Sequence, residues 1–155
     1  MTPADPITPP PARVRRRQDW PQRFAAFIEE RRHTPFAWGQ HDCCLFACDG
    51  IVATTGLDPA AKLFRGQYHE ALGAVRLLRE HGGVEALAAR TCAEYGWPEL
   101  RTVRLAQRGD LLLCDLTNHR EPALGLCVGE QGAFPSADGL VFVGVEHCLR
   151  AWRIG

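Results

Sequence analysis

Apolar residues recur at helical spacing through the earlier part of the chain and at strand spacing through the later part. Trp20, Phe24, Phe27 and Ile28, preceded by Asp19 as N-cap and followed by the charged stretch Glu29 to Arg32, predict a first amphipathic helix that Pro35 terminates. A second helix is predicted from Asp42, with Leu45, Phe46, Ile51 and Val52 facing a core, to Thr55-Gly56, where glycine supplies the left-handed C-terminal conformation. Leu57 to Gly66 reads as an irregular connection containing Pro59. Tyr68, Leu72, Val75 and Leu78 or Arg79 form a third helical stripe, closed by His81-Gly82-Gly83. Val84, Leu87, Ala88, Thr91 and Tyr95 form a fourth, closed by Gly96 and Pro98. Strands are then predicted at Leu111 to Leu116, Ala123 to Gly129, Gly139 to Val145 and Leu149 to Ile154, joined by connections short enough for an antiparallel meander. Helices first and strands later is the segregation of an α+β domain, with N-terminal helices packed on a C-terminal antiparallel sheet.

Composition narrows the class. A chain of 155 residues, 46% of them hydrophobic, suits one well-filled domain. Residues 1–18 read as an extended arm rich in proline and arginine, and residues 19–155 as the folded domain. The run Arg13, Arg15, Arg16, Arg17 reads as solvated surface, or as a docking element for an acidic neighbour in an assembly. Lys+Arg and Asp+Glu number 18 each, so no global field draws nucleic acid or an anionic membrane. No apolar run reaches spanning length, and the first residues lack the apolar core of a secretory signal. The expected compartment of synthesis is the cytoplasm. Seven cysteines, odd in number and without two separated ligand pairs, predict reduced thiols and neither metal nor cofactor.

Candidate chemistry concentrates at Pro35-Phe36-Ala37-Trp38-Gly39-Gln40-His41-Asp42-Cys43-Cys44. With Asp42 capping the second helix, Cys43 falls in its first turn, at the positive end of the helix dipole, where a thiolate is stabilised. A buried cysteine packing as a small apolar side chain is the competing reading. A thiol module built on Cys43, Cys44 and Cys48, with or without a metal, is another. His69 and His81 fall on the polar side or the end of their helices, and His147 precedes the last strand without motif support.

A Trp-Gly loop leading to Asp42-Cys43 at a helix start, then Arg108-Gly109-Asp110-Leu111-Leu112-Leu113, then Leu124-Gly125-Leu126-Cys127-Val128-Gly129, resembles the NlpC-type, papain-like cell-wall cysteine peptidases. The closer resemblance is to a divergent branch encoded among bacteriophage tail genes. It covers roughly Trp20 to Ile154, with the helical region of about 66–96 looking like an insertion. The resemblance implies a papain-like fold with Cys43 as nucleophile and the strand from Ala123 as the one that normally carries the catalytic histidine. It also implies a protein made in the bacterial host cytoplasm and incorporated into the virion tail, with other tail-tip proteins as partners and peptidoglycan as the substrate class.

The departures are specific. Where the family has histidine this chain has Ala123, the third polar position falls at Phe134-Pro135-Ser136, and the tyrosine preceding Trp-Gly is replaced by Phe36. Cysteine peptide hydrolysis needs an imidazole to activate the thiol and protonate the leaving amine, and donors for the oxyanion. His119, four positions before Ala123, is the candidate substitute base, with Asn118 or Asp115 to orient it; His41 sits in a tight entry turn. The expectation is a tail-tip structural component with a degenerate, catalytically weak or inactive peptidase fold. The alternative is an active peptidoglycan endopeptidase or amidase using Cys43 and His119.

Overall fold

The computed structural model describes residues 12–116 and 121–155. Five helices come first: α1 (Trp20–Arg31), α2 (Cys43–Thr55), the single turn α3 (Ala60–Leu63), α4 (Ala71–Glu80) and α5 (Val84–Glu94). Strands β1 (Leu111–Cys114), β2 (Ala123–Cys127), β3 (Gln131–Ser136), β4 (Gly139–Gly144) and β5 (Arg150–Trp152) follow. They form one antiparallel sheet in the order β4-β3-β2-β1-β5. The α+β arrangement of helices on a five-strand antiparallel sheet is therefore the observed one.

The sheet's two faces carry different cores. Leu111, Leu113 and Leu124 point toward α2, α4 and α5 and meet Leu45, Ile51, Val84, Leu87 and Trp97. Leu112, Cys114, Cys127 and Phe134 face the other way and are covered by Val145, Cys148 and the segment from Leu100 to Ala106. α1 lies over the β2–β4 end through Phe24, Phe27 and Ile28, which pack on Phe46, Leu126 and Ala133. α2 is apolar nearly all round because it is sandwiched between these elements. Gly50 lets it approach the sheet, since a Cβ there would run into the Leu126 side chain. Gly56 ends it at φ 82°, donating its N–H to the Val52 carbonyl at 2.8 Å.

Several sequence expectations are corrected. Asp19 stands at the N-cap of α1 without capping it, and its carboxylate instead accepts from Arg23 Nε at 2.8 Å. The expected connection from Leu57 to Gly66 contains the turn α3. In α4 the buried side is Ala74 with Leu77 and Leu78 half-buried, while Leu72 and Val75, expected to face the core, are 55% and 46% exposed. Strand β3, which contains Gly132, Pro135 and Ser136, is not among the strands expected from the sequence. Pro135 is tolerated because it stands opposite Leu140, whose own N–H points out of the ladder to the Arg32 carbonyl at 2.9 Å.

Residues 14–17, read from sequence as the end of the arm, are bonded to the domain. Val14 N–H donates to the Tyr95 carbonyl, Val14 carbonyl accepts from Trp97 Nε1, and Arg17 N–H donates to the Thr54 carbonyl. Arg16 docks on an acidic neighbour within its own chain: its guanidinium reaches Asp110 Oδ1 at 2.8 Å and stacks 4.2 Å from the Trp20 ring centre. Residues 1–11 lie outside the described residues. No helix among the described residues is long and apolar enough to cross a membrane.

Candidate active site

The loop before α2 is built to present Cys43. Ala37 and His41 exchange backbone hydrogen bonds at 3.1 and 2.8 Å, Gly39 takes φ 77°, and Phe36 N–H donates to the Ser136 carbonyl at 2.8 Å, which fastens the loop to β3. Phe36 and Trp38 pack edge to face with ring centres 4.7 Å apart. Asp42 then caps α2 as expected: one carboxylate oxygen accepts from Leu45 N–H at 2.9 Å, and the other from Gly39 N–H at 3.1 Å and from the Tyr68 hydroxyl. Burial and the bond to Asp42 push the Tyr68 phenol far above its ordinary range, so it remains a donor.

Cys43 is half-buried at the head of α2 and opens on a cavity of about 570 Å³. Its thiol is held below the ordinary thiol value, first because the Cys44 side chain hydrogen-bonds to it; the backbone N–H groups of Leu124 and Cys44 add to the effect. Desolvation and the Asp42 charge oppose the shift without cancelling it. Cys44, buried and donating to Cys43, is pushed well above the ordinary value. The pair thus divides its roles: Cys44 keeps the proton and Cys43 is the thiolate former. Cys48 is raised as well, chiefly by burial.

The cavity lining is mostly apolar, with Asp42 and Glu121 as its charged members. Ala123 at the start of β2, Pro135 of β3 and Phe36 of the entry loop all belong to it, together with Trp38, Phe64, Tyr68 and the Ala74 to Leu78 side of α4. The structure therefore brings together around one thiol the positions singled out from sequence as the vacant base site, the third-residue region and the aromatic before Trp-Gly. Ser136, the polar member of the third-residue region, turns its hydroxyl to the Gly139 carbonyl at 2.6 Å within the β3–β4 hairpin.

The described imidazoles lie elsewhere. His41 is 3% exposed, with Nδ1 3.2 Å from Arg31 Nη1 and its ring edge-on to Phe46; Nε2 is buried without a partner among the described residues. Burial and the Arg31 charge hold it below the usual histidine value, so it is neutral at pH 7. His147 is exposed, 3.5 Å from Glu146. His119 and Asn118 lie outside the described residues, and Asp115 is exposed just past β1. Among the described residues no group of three His, Cys, Asp or Glu side chains stands close enough to hold a metal ion, Cys43, Cys44 and Cys48 included.

Two participants were not found from sequence. Tyr68 reads there as one position of an apolar stripe, although it precedes α4 and anchors Asp42. The Leu124 N–H is a backbone group whose position depends on strand register, which carries no residue-type signal.

No curated protein and no solved structure matches the chain. The family described as a domain of unknown function (DUF6950) matches residues 15–154, and the chain belongs to that family.

Proposed function

We propose that this protein is a structural component of a bacteriophage tail tip, built on a degenerate NlpC-type papain-like fold that keeps the nucleophile's place and is catalytically weak or inactive. The observation that carries this loss of activity is the apolar company of Cys43: Ala123, Pro135 and Phe36 line the cavity where such a peptidase needs a base, its orienting group and a hydroxyl. A thiolate alone can attack a carbonyl, but it cannot hand a proton to a leaving amine. General acid–base help is worth about 100- to 10,000-fold and one oxyanion donor about 100-fold or more, so losing both leaves little turnover. The assignment to a tail tip rests on the resemblance to the tail-encoded branch.

A second reading, the active peptidoglycan endopeptidase or amidase, draws on the lowered Cys43 thiol and on Leu116 and Glu121. These two bracket the segment that carries His119, and both line the cavity. Incubation of the protein with purified peptidoglycan separates the readings. The proposal expects wild type, Cys43→Ala and His119→Ala to release no peptide above background; release that needs both Cys43 and His119 would establish the peptidase. Mass spectrometry of purified virions tests the location, and absence of the chain from tails overturns the structural role.

A further inference from the structure

Amide and thioester cleavage ask different things of the same thiolate. An amine leaves a tetrahedral intermediate only once it carries a proton, whereas a thiol, ionising at about pH 8.5, leaves as its anion. A nucleophile that has lost its proton donor is therefore disabled toward the first class of acyl compound and still competent toward the second. Cys43 is placed as such a nucleophile. It lies in the first turn of α2, the N–H groups of Leu124 and Cys44 reach its sulfur, and the described imidazoles of His41 and His147 are engaged with Arg31 and Glu146.

The cavity beside it fits the acyl part of a thioester. Its volume of about 570 Å³ is that of a small-molecule site, and a dry cavity of about 150 Å³ already admits a six-carbon ring. Phe64, Leu77, Leu78 and Val84 give it apolar walls. Trp38 and Val75 line it while 41% and 46% exposed, which leaves an apolar lip open to solvent. Of the two charged members, Asp42 already accepts hydrogen bonds on both oxygens, and the Glu121 carboxylate lies at the Gly83 turn between α4 and α5. A polar occupant would lose its hydration here and recover few hydrogen bonds, whereas a hydrocarbon chain gains about fourfold in binding for each methylene it buries.

We propose that Cys43 is an acyl-acceptor site, which takes a medium- or long-chain acyl group from an acyl thioester of the coenzyme A kind and keeps it as a thioester with the chain lying in the cavity. The Cys43 thiolate attacks the donor's carbonyl carbon and forms the new C–S bond; collapse of the tetrahedral oxyanion breaks the donor's own C–S bond. The donor sulfur leaves as a thiolate and takes up the proton that Cys43 released on ionising, so neither oxidant nor reductant enters. The product persists because its hydrolysis needs a water activated by a base. This acyl site depends on the base-free reading of Cys43 proposed above and is independent of the tail-tip assignment.

Incubation of the full chain with acetyl-, octanoyl- and dodecanoyl-coenzyme A, read by intact-protein and peptide mass spectrometry, tests it. One acyl group is expected on Cys43, released by neutral hydroxylamine. Below saturation it should form about tenfold faster for each pair of methylenes added to the donor until the cavity is filled. Cys43→Ala should take none, and the urea-unfolded chain should show no preference for chain length. Ala74→Leu fills the cavity from the buried side of α4 and should move the preference to a shorter donor. Val75→Trp should do the same from the exposed lip, where a larger side chain does not disturb the core; far-UV circular dichroism checks the folding of both. Absence of the adduct while iodoacetamide still alkylates Cys43 overturns the acyl site and leaves the base-free reading standing. So does acylation without chain-length dependence, the mark of an ordinary reactive thiol. An adduct that is rapidly hydrolysed in the wild type and persists only in His119→Ala overturns the base-free reading, and the stable thioester with it.

Discussion

Two buried aspartates open two elements, and they are used in opposite ways. Asp110, fully buried before β1, is enclosed by donors: Arg16 Nη2 at 2.8 Å, Arg153 Nε at 2.9 Å, Gln107 N–H at 2.8 Å and Ile154 N–H at 3.1 Å. It ties the first described residues, the strand entry and the last strand's exit into one knot. Asp42, 2% exposed before α2, meets no cation among the described residues; it accepts from Leu45 N–H, Gly39 N–H and the Tyr68 hydroxyl, and the residue it fixes in space is Cys43. The first aspartate holds the fold closed. The second holds a thiol open to a cavity. A carboxylate's neighbours, rather than its burial, decide which of these roles it plays.

The contrast is broken most directly by removing each carboxylate. Asp110→Ala leaves two largely buried guanidiniums facing each other without their anion, and is expected to cost about 3–5 kcal/mol in urea unfolding. Asp42→Ala loses an N-cap and strands the Tyr68 hydroxyl, and is expected to cost about 0.5–2 kcal/mol for the cap, with Asp42→Asn recovering most of it. Equal losses at the two sites would remove the distinction between knot and platform.

Alkaline titration sharpens it further. Burial pushes the Cys92 and Cys148 thiols up to about 12 from an ordinary value of 9.0. Folded pKa values raised above the unfolded ones give stability that is complete below about pH 9 and is lost as pH climbs from there toward 12. Unfolding free energy should therefore fall across that window, and the fall should shrink in Cys92→Ala measured against its own neutral-pH stability. Cys43 has the opposite sign: its lowered value makes it the thiol that reacts first. Brief iodoacetamide treatment at neutral pH, read by peptide mass spectrometry, should label Cys43 well ahead of Cys44, Cys48, Cys92, Cys114, Cys127 and Cys148, all buried. The smallest expected effect is that of Ala123→His. An imidazole placed on the cavity wall should lower the Cys43 thiol further, and an unchanged titration would show that Ala123 does not face the sulfur closely enough to stand for a base.

How much of this was legible in the residues follows from which interactions are local. The start and end of α2 were, because Asp42 and Gly56 act within a turn of where they stand. The cavity's cast was also legible: Cys43 was singled out by its place at a helix start, and Ala123, Phe36 and the stretch containing Pro135 by the resemblance to the NlpC-type peptidases. β3 was not, since Gly132 and Pro135 look like loop until the register shows Pro135 opposite a residue that does not hydrogen-bond to it. The Asp110 knot was not, because Arg16 lies 94 positions away and an arginine run next to a proline-rich stretch carries no address. The α4 stripe misled because it ran from Tyr68, which lies outside the helix, to Leu72 and Val75, which are exposed.

The central claim is a thiolate without a base, and the pH dependence of the Cys43 alkylation rate tests it most directly, in wild type and in His119→Ala. A single inflection below the ordinary thiol value, the same in both proteins, is expected. A second inflection in the histidine range that disappears with His119 would contradict it, because it would mean that an imidazole shares the proton of Cys43.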